Sequence, residues 1–122
     1  MTRERFNLLV AEALDTLPER FRVIVNNLAV VVEDVPPGQP EPERLLEAGQ
    51  DEGLLMGEFV GIPTTQKSVW DSAAGPDRVV LYQRNIEAFC ETEAEIREQV
   101  RLTVLHELGH YFGMDEEQLE DV

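Results

Sequence analysis

The sequence predicts a single α+β domain in which a few-stranded mixed β-sheet packs on an N-terminal helix and a long C-terminal helix. Three observations carry that expectation. Residues 3–17 repeat apolar side chains at helical spacing, three short runs further on are rich in β-branched and apolar residues, and a capped amphipathic run occupies the last third of the chain. With 122 residues there is room for one hydrophobic core and no second folding unit, so the domain spans residues 1–122.

Taken in order, Phe6, Leu9, Val10, Ala13, Leu14 and Leu17 line one side of the first helix, and Pro18 ends or bends it. A second short helical turn can follow. The run from Leu28 to Val35 reads as a largely buried strand, stopped by Pro36. Pro36, Pro37, Pro40 and Pro42, with Gly38 and Glu41, then predict an exposed loop with polyproline character. Leu54 to Ile62 is a second strand, and its Gly57, Gly61 and terminating Pro63 suit a sheet edge, which can accept a peptide. Residues 63–77 form a polar loop in which Trp70 serves as an anchor, and Arg78 to Gln83 makes the third strand. Thr92 and Glu95 stand in capping-box spacing at the start of the long helix, which should run to about Phe112 before Gly113.

Composition excludes several function classes. The chain carries 25 acidic and 10 basic residues, a formal net charge of −15, which repels the phosphate backbone that supplies most nucleic-acid affinity. Glu12 and Asp15 interrupt the apolar N-terminal stretch, so it reads as neither a secretion signal nor a membrane span, and a cytoplasmic location is expected. Cys90 has no second cysteine with which to form a disulfide or a thiolate metal site, and it reads as a small apolar residue.

The chemistry is concentrated between Leu105 and Glu116. His106 and His110 are one helical turn apart and about 40° apart in projection, so both imidazoles can converge on one cation, and zinc accepts such a pair. Glu107, about 100° round from His106, can reach a water on that cation without being a ligand, which suits a general base for peptide hydrolysis. From Leu102 to Phe112 the only polar side chains are Thr103, His106, Glu107 and His110. A buried ionisable triple is costly unless paired or coordinated, which argues against a plain surface helix.

The segment His106-Glu107-Leu108-Gly109-His110-Tyr111-Phe112-Gly113 resembles the zincin signature, in the form extended by a glycine three residues after the second histidine, as in metzincins and aspzincins. That resemblance implies a third zinc ligand three residues beyond the glycine, where this chain has Glu116 in place of the histidine or aspartate of those families. Asp115 is the next candidate and Glu120 a distant third, against the plain reading of an acidic tail that meets a helix dipole. The order of elements, and the phrase Gly57-Glu58-Phe59-Val60-Gly61-Ile62-Pro63, are similar to the small bacterial mini-zincins. Met114 lies too close to the helix to be a metzincin Met-turn.

The resemblance implies a zinc-dependent metallopeptidase with Zn2+ as cofactor, His106, His110 and Glu116 as ligands and Glu107 as the base. Its partner is then a peptide or protein substrate, with no nucleic acid and no membrane, and a homodimer is left open. Larger zincins carry an oxyanion-stabilising side chain, for which Tyr82 and Arg84 are the candidates here, although a structural role suits each better. Tyr111 is expected to turn away from the metal face into the core. A non-catalytic zinc-binding or protein-interaction module that retains the site is the alternative function, and an acidic adaptor with an empty site is a third.

Overall fold

The computed structural model describes residues 1–49, 54–61 and 77–111, and of Tyr111 the backbone alone. Its elements follow the order α1 (Arg3–Asp15), α2 (Glu19–Asn26), β1 (Ala29–Glu33), α3 (Pro42–Glu47), β2 (Gly57–Val60), β3 (Arg78–Tyr82), α4 (Gln83–Ala88) and α5 (Glu93–Tyr111). The sheet order is β1-β3-β2, with β1 parallel and β2 antiparallel to β3. A small mixed sheet packed with an N-terminal helix and a long C-terminal one is the α+β arrangement expected from the sequence.

Local chemistry explains the helix boundaries. Thr2 caps α1 by accepting from the Arg5 amide at 3.1 Å. Pro18 closes off that helix and stands as the cap residue of α2, which buries Phe21 and Val25 and is more than a single turn. At α5 the capping box is reciprocal. The Glu95 amide donates to Thr92 Oγ1 at 3.1 Å, and the Thr92 amide donates to Glu95 Oε2 at 3.3 Å.

The core joins Phe6, Leu9, Val10 and Ala13 of α1 to Val79 and Leu81 of β3 and to Ile96, Val100, Val104, Leu105 and Leu108 of α5. Each of these side chains larger than alanine contributes about 1.5–3 kcal/mol relative to exposure. Cys90 is half-buried against this core, where burial first, and Glu95 second, push its thiol up from the ordinary value. It is a packing residue.

Three local expectations are corrected. The run 28–35 is not the buried strand. Its central part, β1, lies at the sheet edge and is half-exposed, whereas β3 between the other two strands buries Val79, Val80, Leu81 and Tyr82. Periodicity cannot rank strands by position in a sheet, because a β-branched run suits an edge backed by helices as well as a centre. The proline segment is not loop throughout, since Pro42 opens α3 at its first helical position, where the missing amide hydrogen costs no helical bond. Gln83 leaves the third strand and starts α4, which buries Gln83, Asn85 and Ile86. Fully buried Asn85 exchanges two hydrogen bonds with Gln39 and donates a third to Leu55 O at 2.7 Å, so tertiary partners hold this six-residue helix. The loop with Trp70 lies outside the described residues.

Candidate metal centre

α5 presents two faces with different duties. Ile96, Val100, Val104 and Leu108 follow one another at four-residue intervals into the core. Gln99, Thr103, His106 and His110, spaced by four, three and four residues, form a second stripe beside β2.

Gly57 sets how closely β2 lies on that stripe. A Cβ added there would stand 2.6 Å from Thr103 Cγ2, 3.1 Å from Val80 O and 3.3 Å from Leu81 Cδ2. The absence of a side chain therefore lets strand and helix meet in contact. The register then aims the strand's edge. Tyr82 N–H donates to Met56 O at 2.9 Å, so by alternation Glu58–Val80 and Val60–Arg78 are the directly bonded pairs, and the peptide groups of Gly57 and Phe59 point away from β3. The Phe59 amide meets the catalytic candidate there, donating to Glu107 Oε2 at 3.2 Å. This contact turns the half-buried Glu107 carboxylate toward the edge of β2.

His106 and His110 are both exposed, and their Nε2 atoms are 2.8 Å apart, with ring centroids separated by 4.4 Å and planes inclined by 70°. Two rings that direct the same nitrogen at one point are what a shared cation requires. With zinc–nitrogen bonds of about 2.0–2.1 Å and tetrahedral angles, the nitrogens stand roughly 3.3–3.4 Å apart. The pair therefore needs to open by a small side-chain rotation only. Two imidazole nitrogens directed at one point are donors that zinc accepts, so this pair fits the ion as two of its ligands.

Exposure corrects one step of the sequence argument. The histidines are not polar groups trapped in an apolar helix. The apolar residues around them divide between the core face, with Leu105 and Leu108, and an exposed flank that includes Leu102. The convergence of the two rings, rather than the cost of burial, now carries the metal assignment.

The oxyanion candidates are engaged elsewhere. Alternation along β3 sends Val79 and Leu81 toward α5 and Tyr82 to the opposite face, where its hydroxyl donates to Glu58 Oε2 at 3.1 Å. Burial first, then Glu58, pushes the Tyr82 phenol above its ordinary value. Arg84 stands on α4 and pairs with Glu41 at 2.8 Å.

Among the described residues, no group of three or more His, Cys, Asp and Glu side chains gathers around one point. Glu116, Asp115 and Glu120, together with Gly113 and Met114, lie outside the described residues, as does the Tyr111 side chain. Among the described residues, no helix is long and apolar enough to cross a membrane. Sequence reasoning missed the Phe59–Glu107 bond and the contact at Gly57. The glycine inside a strand pattern was the available signal, because it marks close approach as well as an edge.

A solved structure, of a conserved hypothetical protein from Thermus thermophilus, shares this fold at a TM-score of 0.56 and 24% identity, over 92% of this chain and 94% of the other. None of the curated proteins matches the chain. The family model for zincin-like metallopeptidases matches residues 25–122, which takes in all three strands and the whole of α5 with its histidine pair. This chain belongs to the zincin-like metallopeptidase family.

Proposed function

We propose that the protein is a zinc-dependent peptidase, in which His106 and His110 hold the ion together with Glu116, and Glu107 is the general base. The observation that carries this reading is the meeting of the two Nε2 atoms at 2.8 Å beside a carboxylate already turned to the sheet edge by the Phe59 amide. Held by these residues, zinc would supply Lewis acidity, making a water easier to deprotonate near neutral pH and a carbonyl easier to attack.

Every other step falls to the chain itself. Glu107 accepts a proton from the attacking water and delivers it to the nitrogen of the leaving amine, so one water and one peptide bond become a carboxyl group and an amine. Phe59 N–H positions that carboxylate on the side from which an extended substrate, lying along the outer edge of β2, would present its carbonyl. The outward peptide groups of Gly57 supply hydrogen-bonding partners for such a substrate.

A non-catalytic zinc-binding module is the second reading. It is favoured by the engagement of Tyr82 with Glu58 and of Arg84 with Glu41, which removes both candidate oxyanion stabilisers from the metal face. Elemental analysis of protein purified without added metal, run beside a peptide-library cleavage screen with and without chelator, separates the readings. Stoichiometric zinc with chelator-sensitive cleavage is expected, and His106→Ala or His110→Ala should abolish tight zinc binding. Zinc without cleavage identifies the binding module, and absence of zinc overturns both.

A further inference from the structure

The free side of β1 is a second sheet edge, on the opposite flank from the candidate metal centre. Its peptide groups alternate in direction. Val80 and Tyr82 turn theirs to β2, so Val79 and Leu81 turn theirs to β1, where the parallel ladder joins both to Val31. Val30 and Val32 therefore point outward. Arg3 Nη1 donates to Val32 O at 2.7 Å, which leaves that carbonyl a second lone pair. Among the described residues nothing bonds the outward peptide groups of Val30. The strand Ala29-Val30-Val31-Val32-Glu33 holds no proline or lysine, and its register with β3 is unbroken, so it lacks the usual devices that stop an edge from pairing.

Both faces beside this edge suit another strand. On the α1 face a groove of about 440 Å³ separates Val30 and Val32 from Asn7, Ala11 and Leu14 of the helix. On the far face Ala29 and Glu33 are exposed, and Arg78 stands beside Ala29 in the register. Among the described residues neither Glu33 nor Arg78 has an ion-pair partner. Within one chain they do not meet, because the strand from Ala29 to Glu33 sets them about 13 Å apart along its length.

We propose that the chain forms a two-fold symmetric dimer in which β1 pairs antiparallel with β1 of a second copy, with Val31 on the axis. All five residues of the strand then pair, Val30 with Val32 and Ala29 with Glu33 of the other copy, and each Val30 exchanges both its ladder bonds with the Val32 opposite. Val30 and Val32 of each copy lay their side chains in the groove of the other. Glu33 lies across the small Ala29 from Arg78 of the other copy, two strand spacings or roughly 10 Å between Cα atoms, within reach of two extended side chains. This match of charge selects a second copy over another polypeptide, since one strand and its neighbour supply both halves of it. The result is one continuous sheet in the order β2-β3-β1-β1-β3-β2. Both β2 edges stay on its outer flanks, so the dimer leaves the candidate metal centres open and does not depend on their chemistry.

Sedimentation equilibrium and amide hydrogen exchange on the full chain test it. At about 0.15 M salt, where the Debye length of about 8 Å screens the net charge of −15 but not charges in contact, a dimer with a Kd of about 100 μM or tighter is expected. Glu33→Arg and Arg78→Glu should each weaken it about 10-fold or more by opposing like charges, and the double variant, which restores opposite charges between the copies, should recover it to within about 3-fold. Val30→Pro removes an outward amide hydrogen and no bond to β3, so it should abolish the dimer while circular dichroism still shows a folded chain. Protection of the Val30 amide should rise with protein concentration, whereas Val31, bonded to β3, should be protected throughout.

A chain that stays monomeric to on the order of 1 mM overturns the dimer and leaves the edge to another polypeptide or to none. A dimer that survives Val30→Pro, ignores the charge reversals or leaves Val30 exchange independent of concentration uses another face and overturns the proposal equally. Should Arg78→Glu fail to fold, Glu33→Arg and the exchange of Val30 in the unmodified chain still decide.

Discussion

Replacing Gly57 by alanine tests the contact on which the site is built. The new methyl group would meet Thr103 Cγ2 at 2.6 Å and Val80 O at 3.1 Å. Neither neighbour yields easily. Thr103 is buried and β-branched, with little χ1 freedom on a helix, and Val80 O belongs to the central strand. Overpacking of this kind costs about 1–3 kcal/mol, against which the lower chain entropy of alanine in the unfolded state returns about 0.4–1 kcal/mol. The net expectation is a loss of about 1–2 kcal/mol, which for a domain of this size lowers Tm by roughly 3–10 °C.

The strand must also lift from α5, which lengthens the Phe59–Glu107 hydrogen bond two residues away. Thermal unfolding of Gly57→Ala, Thr103→Ser and the double variant forms a cycle in which the serine removes Cγ2 and keeps the hydroxyl that accepts from Gln99. The double variant should recover most of the loss. Wild-type or higher Tm in Gly57→Ala, or no recovery in the double variant, refutes the account of Gly57 as the close contact between β2 and α5.

Three further outcomes are expected. Glu107→Gln should retain zinc by elemental analysis and lose peptide hydrolysis by about 10²-fold or more, because the amide cannot take the proton from water. Surviving activity would remove Glu107 from the role of base. Zinc affinity measured side by side in Asp115→Ala and Glu116→Ala should fall far more in the latter, and the reverse order would show that the ligand register is wrong. The Arg5 guanidinium hydrogen-bonds Glu93 and holds its carboxyl below the ordinary value. This pair therefore contributes stability that is present above the ordinary glutamate pKa and is lost as the pH falls through the depressed value. An NMR titration of Glu93 should move upward toward the ordinary glutamate value in Arg5→Gln, and an unchanged midpoint would discount the pair.

Cap chemistry and motif spacing were legible because they are local. Thr92 and Glu95 face each other wherever a helix starts at that point, and His106 and His110 share a helix face whatever surrounds them. The same locality explains Pro18, whose missing amide hydrogen separates α1 from α2 in any tertiary setting. Gly57 was legible by half, as a mark of a sheet edge. Its second meaning needed the neighbour, since only the packed molecule brings Thr103 beneath it.

The sequence by itself determined the α+β class, the starts of the first and the last helix, and the pairing of His106 with His110 beside Glu107. Each of these depends on bonds and spacings within a few residues. The tertiary structure decided which strand is central, that Gln83 begins α4, that the histidines stand at the surface, and that Tyr82 turns to Glu58 on the far face of the sheet. It also decided what orients the base, because the Phe59 amide and the Glu107 carboxylate are 48 residues apart in the chain. Such contacts arise from strand register and from the packing of a helix on a sheet edge, and both are settled by the burial of side chains distant in sequence.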